Sequence, residues 1–173
     1  TARLAEAKTA VEDKNRQLEA VNERLRSLSF RDSLTGIANR RKMEETLAKE
    51  WNRAYRRRSI LGLIMMDIDW FKQLNDRHGH GEGDECLKRI GAFLSERVRR
   101  SGDLAARIGG EEFAIILPET DMDGLRHIAE NLRAGIEELG IRNDGSPFEH
   151  VTASFGLAVS DPASGNGGVD GLM

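Results

Sequence analysis

Between residues 30 and 160 the apolar positions alternate between the spacing of strands and the spacing of helices. Ser59 to Asp67 holds Ile60, Leu61, Leu63, Ile64, Met65 and Met66, a run broken only by Gly62, which predicts a central strand covered on both faces. Upstream, Asp32-Ser33-Leu34-Thr35-Gly36 reads as a turn, and a helix is predicted from about Arg40 to Arg57. Downstream, a short helical piece starts at Trp70, and His78-Gly79-His80-Gly81-Glu82-Gly83 reads as a loop. Leu87, Ile90, Leu94 and Val98 recur at helical spacing and predict a helix running to about Arg99. Two short strands follow, Leu104–Ile108 and Glu112–Leu117, joined by Gly109-Gly110, which supply the φ > 0 that a tight hairpin requires. Pro118 closes the pair, a helix fills about Met122–Leu139, and Val151–Val159 is a further strand. Asp161 to Gly168 is rich in Gly and Ser and reads as a mobile stretch.

Residues 1–29 have a different texture. Leu4, Val11, Leu18 and Leu25 recur every seventh residue, interleaved with Ala7, Lys14, Val21 and Leu28, and Glu12, Arg16, Glu19 and Glu23 fill other positions. No Gly or Pro interrupts the pattern. This a/d seam predicts a parallel coiled-coil dimer. A single amphipathic helix lying on its own domain suits it less, because nothing closes the seam and Lys14 fits register control better than a core. The expected organisation is therefore a dimerisation helix over 1–29 and a globular domain over 30–173. Such a stalk would hold two copies of that domain at effective concentrations of order millimolar.

Composition narrows the function classes. A chain of 173 residues, 39% hydrophobic and 32% charged, is neither a disordered polymer nor a bundle of membrane helices. The run at Ile60–Met66 is far too short to span a bilayer, and no signal-peptide pattern opens the chain. A cytoplasmic setting is expected, with membrane tethering of the full-length protein left open. The balance of 26 Lys+Arg against 29 Asp+Glu gives no overall basic field, so no nucleic-acid partner is expected. Cys86, the single cysteine, lies among Leu87, Ile90 and Leu94 and reads as a buried structural thiol rather than a redox group. The chain starts at Thr1 without a methionine and stops at Met173 with no capping signal, so it reads as a piece of something longer.

The element order β-α-β-β-α-β is the ferredoxin-like α+β arrangement. In it the first two strands run parallel with the third antiparallel between them, so the end of the first strand lies beside the hairpin joining the other two. Asp67 ends that strand, and Glu111 and Glu112 sit at that hairpin, so three carboxylates are expected to converge at one edge of the sheet. Crowded like charges persist only with a cation or a captured proton. Carboxylate oxygens are hard ligands and no Cys/His set competes for a softer metal, so magnesium is the expected occupant, with substrate phosphates beside it. The competing reading is a solvated acidic rim.

Asp69 either joins this site or caps the helix at Trp70. Lys72 can meet phosphate, and Asn75 with Asp84 matches the edge of guanine, though both also suit caps or turns. The glycines at 79, 81 and 83 are not a P-loop, since no Gly-Lys-Ser/Thr follows. His78 and His80 read as turn residues rather than zinc ligands, and His127 and His150 carry no functional reading.

At Arg107-Ile-Gly-Gly-Glu-Glu-Phe113 the sequence resembles the GGDEF domain of diguanylate cyclases, in a GGEEF spelling. Asp32-Ser-Leu-Thr-Gly-Ile-Ala-Asn-Arg-Arg41 is similar to that family's opening segment, and Asp67-Ile-Asp-Trp-Phe-Lys-Gln-Leu-Asn-Asp76 with Gly79-His80 and Gly83-Asp84 to its nucleotide signature. The resemblance covers about Phe30 to Ser160, and residues 1–29 resemble the signalling helices that link such domains to upstream receiver or sensor modules. It implies a palm-type, nucleotidyl cyclase-like domain that condenses two GTP into cyclic di-GMP and two pyrophosphates. By position it implies Mg²⁺, with Mn²⁺ as an alternative, on Asp67, Glu111 and the Ile68 carbonyl. Glu111 would deprotonate the attacking 3′-hydroxyl and Glu112 would support the metal site. Asn75 and Asp84 would hold guanine, Lys72 and the backbone near Phe71 the phosphates, and Gly109 and Gly110 would leave room for the nucleotide.

Because each domain presents one nucleotide, the resemblance implies a homodimer facing across a two-fold axis. It also implies product inhibition by cyclic di-GMP through Arg100 and Asp103, the Arg-x-x-Asp before the glycines, with a third member unsettled between Arg126, Asn131 and Arg133. Relatives continue past the last strand with a helix and further strands, which this sequence lacks before Met173. Two other readings compete with an active cyclase: a GTP- or cyclic-di-GMP-binding receptor without catalysis, and a pure dimerisation module. The complete set Asp67, Glu111 and Glu112 favours the enzyme, since a receptor has no need of metal ligands.

Overall fold

The computed structural model describes residues 13–19, 21 and 30–164. The chain divides into two units, Thr1–Arg31 and Asp32–Met173. In the first, residues 13–19 and 21 are helical, with Leu18 and Val21 exposed. Lys14 is exposed too, and the remaining seam positions, Leu4, Ala7, Val11, Leu25 and Leu28, lie outside the described residues.

The second unit runs β1 (Ala38–Asn39), α1 (Arg40–Arg57), β2 (Leu61–Ile68), α2 (Phe71–His78), α3 (His80–Arg97), β3 (Leu104–Gly109), β4 (Glu112–Pro118), α4 (Met122–Glu138) and β5 (Ala153–Ser160). A single sheet has the order β1-β3-β4-β2-β5. Strand β4 is antiparallel to both β2 and β3, β5 is antiparallel to β2, and the short β1 lies parallel on β3. The expected β-α-β-β-α-β order is present, with two helices in its first crossover. Helix starts follow from capping chemistry: Asn39 accepts from the Lys42 N–H at α1, and Asp121 from the Gly124 N–H at α4.

Alternation along β2 divides the core between the faces of the sheet. Ile64, Met66 and Ile68 pack with Phe113, Ile115 and Leu117 of β4 against Leu87, Ile90 and Leu94 of α3 and Leu125, Leu132 and Ile136 of α4. Leu61 and Leu63 turn the other way, with Ala114 and Ile116, onto Met43, Leu47 and Ala54 of α1. That double cover is why β2 reads as an apolar run broken only by Gly62. Gly62 is required on the α4 side, where a Cβ would lie 2.7 Å from Leu125 Cδ2. Cys86 is buried in this core, and burial pushes its thiol up to about 12, as suits a structural group.

Three elements differ from the expectation. The stretch His78–Gly83 is not a loop: only Gly79 breaks the chain, at φ +85, and α3 already begins at His80. Glycines 81 and 83 lie inside its first turn, and Gly83 serves close packing rather than a turn. The short β1 carries no sequence signal, being only two residues long. Within the stretch expected to be mobile, Pro162–Ser164 form a 3₁₀ turn with Pro162 buried; residues 165–168 lie outside the described residues.

Candidate active site

The hairpin between β3 and β4 and the end of β2 meet as the topology requires. Asp67 is the register partner of Glu112, and the Ile68 N–H donates to the Glu111 carbonyl at 3.2 Å. Gly109 and Gly110 have φ of +156 and +51, and a Cβ on either would meet nothing within 4 Å, so the tip of the hairpin is open on its outer side. Burial, and then the charges of Glu111, Glu112 and Asp69, hold the Asp67 carboxyl above the ordinary carboxylate value. Like charges placed opposite one another on paired strands repel, so this edge is set up to accept positive charge.

Among the described residues no three acidic or histidine side chains stand together as a ready-made metal cage. The carboxylates that do meet at this edge are hard oxygen donors, the type Mg²⁺ takes together with waters and substrate phosphates.

Asp69 does not cap α2, and its charge acts on the nearby Asp67. Its oxygens accept from Thr152 Oγ1 at 2.8 Å and Ser154 Oγ at 2.6 Å, fastening the exit of β2 to the start of β5. The α2 N-terminus has no side-chain cap, so no capping side chain takes its first N–H groups, near Phe71 and Lys72. Phe71 itself is buried and only its backbone is available, whereas Lys72 is exposed.

Helices α2 and α3 bring Asn75 beside Gly83, where a Cβ would fall 1.9 Å from Asn75 Oδ1. Asp84 is the next residue and is exposed. The buried Asn75 Oδ1 accepts no hydrogen bond from the protein. Asn75 and Asp84 thus flank one short seam between two helices.

On the opposite side of the hairpin the charges are paired. Arg107 Nη1 donates to Asp32 Oδ1 at 3.1 Å, and its Nε donates to the Gly110 carbonyl at 3.0 Å. Arg40 Nε donates to the Ile108 carbonyl at 3.0 Å. Asp32 also accepts from the Thr35 N–H and Oγ1. Burial would raise the Asp32 carboxyl, but the bonds from Thr35 and Arg107 outweigh it and hold it below its ordinary value. These supports were not foreseen: the residues stood in recognisable segments, but a pairing across 75 positions leaves no local signal.

The residues assigned to product inhibition lie elsewhere in the fold. Asp103 lines a cavity of about 530 Å³ between α3, α4 and the far end of β4, together with Arg97, Leu117, Ile128, Asn131 and Glu138. Its Oδ1 is buried without a partner, and burial raises its carboxyl, partly offset by Arg100. Arg100 is exposed and its carbonyl accepts from the Asp103 N–H at 3.0 Å. Of the unsettled trio, Asn131 is the one that lines this cavity; Arg126 pairs with Asp123, and Arg133 with Glu130 and Glu137. Arg97, whose guanidinium lies 5.3 Å over the Phe93 ring, is a lining residue that the sequence reading missed.

A palm-like sheet with this hairpin and acid arrangement defines a class, and comparison with known proteins agrees. Residues 29–170 match the family described as "Diguanylate cyclase, GGDEF domain", and the chain belongs to that family. It is 40% identical over 134 residues to the diguanylate cyclase DgcP of Pseudomonas aeruginosa, covering 78% of this chain and 20% of DgcP. It is 44% identical over 128 residues to the protein YhcK of Bacillus subtilis, covering 73% of this chain and 35% of YhcK. The chain therefore spans about a third or less of the length of these relatives. Among solved structures, the coiled coil and GGDEF domain of DgcB from Caulobacter crescentus, in complex with c-di-GMP, superposes with a TM-score of 0.77 at 27% identity, covering 99% of this chain and 87% of that one.

Proposed function

We propose that this domain condenses two GTP molecules into cyclic di-GMP, releasing two pyrophosphates, at a site completed by two copies facing across a two-fold axis. The observation that carries the reading is the meeting of Asp67 with Glu111 and Glu112 at one edge, under an open hairpin tip and beside the uncapped start of α2. Asp67, Glu111 and the Ile68 carbonyl hold Mg²⁺ or Mn²⁺, and Glu112 supports that site. When bound there, the ion polarises the α-phosphate and offsets its developing charge.

The remaining roles fall to the chain's own groups. Asn75 and Asp84 hold guanine, the Asn75 side-chain amide donating to O6 or N3 and the Asp84 carboxylate accepting from N1–H and N2–H. Lys72 and the backbone N–H groups near Phe71 bind the phosphates. Gly109 and Gly110 let the nucleotide approach the hairpin. Glu111 takes the proton from the 3′-hydroxyl, the oxygen attacks the α-phosphorus of the facing GTP in line, and the bond to the bridging oxygen breaks as pyrophosphate leaves. A second, equivalent step closes the ring.

Residues 1–29 act as a coiled-coil stalk whose register sets whether the half-sites meet, downstream of a receiver or sensor domain. Arg100 and Asp103 bind cyclic di-GMP as an inhibitor, and Asn131 and Arg97, which share the Asp103 cavity, extend that site. A cytoplasmic setting suits a GTP-consuming enzyme, and no helix among the described residues is long and apolar enough to cross a membrane.

Incubating the protein with GTP and Mg²⁺ and resolving the nucleotides tests the reading. Cyclic di-GMP and pyrophosphate are expected; GTP binding without turnover would make the domain a receptor, and no nucleotide binding would make it a dimerisation module.

A further inference from the structure

Trp70 is a non-glycine residue in the left-handed region, at φ +56 and ψ +27, where the exit of β2 becomes α2. Its side chain is 46% exposed and makes no capping bond, so nothing local favours this turn. Two sets of distant contacts hold it. Upstream, the Asp69 N–H donates to the Thr152 carbonyl at 3.0 Å, and Asp69 accepts from Thr152 Oγ1 and Ser154 Oγ. Downstream, Asn143 Nδ2 donates to the Trp70 carbonyl at 3.3 Å. Asn143 is completely buried, and its Oδ1 accepts from the Gly145 N–H at 3.0 Å, so each end of the amide is used. The same loop presses on α2: a Cβ at Gly145 would lie 2.5 Å from Gln73 Cβ and 3.1 Å from the Gln73 carbonyl carbon.

We infer that Asn143 is a positioning residue for the nucleotide: it fixes the left-handed turn at Trp70 and thereby aims the first N–H groups of α2. The inference rests on the reading of α2 as the phosphate-binding element. The physical link is short. Those N–H groups are uncapped, their direction is set by the dihedral angles of Trp70, and the Trp70 carbonyl is the atom that Asn143 holds. The Leu74 N–H donates to that same carbonyl at 3.0 Å, so the bond from Asn143 bears on the first helical turn directly. Asn143 lies on a connection between α4 and β5, far in sequence from every residue that would touch GTP, and works only through Trp70.

Asn143→Asp separates positioning from loop stability, because it keeps an acceptor for Gly145 but offers no donor to Trp70. Ser146→Ala is the control; it removes only the 3.2 Å bond that Phe148 N–H donates within the same loop. The quantities to measure in the full chain are the Kd for a non-hydrolysable GTP analogue with Mg²⁺, and KM and kcat for GTP. Asn143→Asp is expected to raise Kd and KM about tenfold with kcat changed less than about threefold, while Ser146→Ala stays near wild type. Adding Trp70→Gly, a residue that takes φ > 0 unaided, is expected to recover most of the lost affinity.

An unchanged Kd in Asn143→Asp, or an equal loss in Ser146→Ala, would overturn the inference. Should Asn143→Asp fail to fold, Asn143→Ser withdraws the donor from the Trp70 carbonyl without burying a charge: a Kd raised about threefold or more supports the inference and an unchanged Kd overturns it. Wild-type protein that does not bind the analogue would instead overturn the reading of α2, and the inference with it.

Discussion

The two flanks of the β3–β4 hairpin carry carboxylates in opposite electrostatic states. On the β1 side, Asp32 is matched by Arg107 and Thr35 and held below its ordinary value. On the β2 side, Asp67 stands opposite Glu112 with no cation bonded to it among the described contacts, and is held above its ordinary value. One flank is neutralised from within, and the other carries crowded negative charge. A rigid hairpin with one fixed side and one charged, open side is what a metal–nucleotide site needs, since the positioning contacts do not compete with the ligand.

Breaking the open flank should give the largest effect, and on activity alone. Glu111→Ala is expected to lower cyclic di-GMP formation by about 10²–10⁴-fold, as loss of a general base does, while leaving the urea midpoint unchanged or slightly raised. Product analysis beside denaturation curves checks both halves. Breaking the closed flank should act on stability instead. Asp32→Asn is expected to cost about 2 kcal/mol near pH 6, since it weakens a partly buried charge-assisted bond. Because the Asp32 carboxyl is lowered in the fold, that stabilisation exists above its ordinary value and fades as pH falls through the lower folded value. Urea midpoints for wild type and Asp32→Asn should therefore converge as pH falls below the ordinary carboxylate range.

Asp67 should give the opposite slope, which sharpens the contrast. Its raised carboxyl favours the fold only while protonated and costs stability as pH rises through that value. Without metal, Asp67→Asn is expected to be more stable than wild type by about 0.2–1 kcal/mol at pH 7 and equal to it in acid. The same pair of denaturation series measures it. The smallest expected effect lies away from the hairpin. Arg100→Ala should weaken inhibition by cyclic di-GMP about fivefold at unchanged initial rate, as loss of one exposed charged contact would. An inhibition curve identical to that of wild type would remove Arg100 from the regulatory site.

The parts of this arrangement that the sequence disclosed are those with local or periodic signals. The apolar run of β2, the paired glycines at 109 and 110, and the helical spacing of Leu87, Ile90 and Leu94 located the elements, and topology then brought Asp67 to Glu111 and Glu112. What stayed hidden depends on partners distant along the chain. Gly83 looked like loop punctuation because its requirement, the close approach of Asn75, belongs to another helix. Asp69 had the right spacing for either a ligand or a cap; the start of α2 has no side-chain cap, and the bonds that Asp69 accepts come from Thr152 and Ser154 of a distant segment. Asn143 sat in a polar stretch with no motif, although its bond to Trp70 reaches back 73 positions.

The account stands on the open flank being a cation site that works together with the nucleotide. Binding of Mn²⁺ followed by electron paramagnetic resonance, with a non-hydrolysable GTP analogue present, tests this in wild type and Glu111→Ala. Bound Mn²⁺ in the wild type and affinity at least about tenfold weaker in the variant are predicted; equal Mn²⁺ affinity in the two proteins would contradict the account.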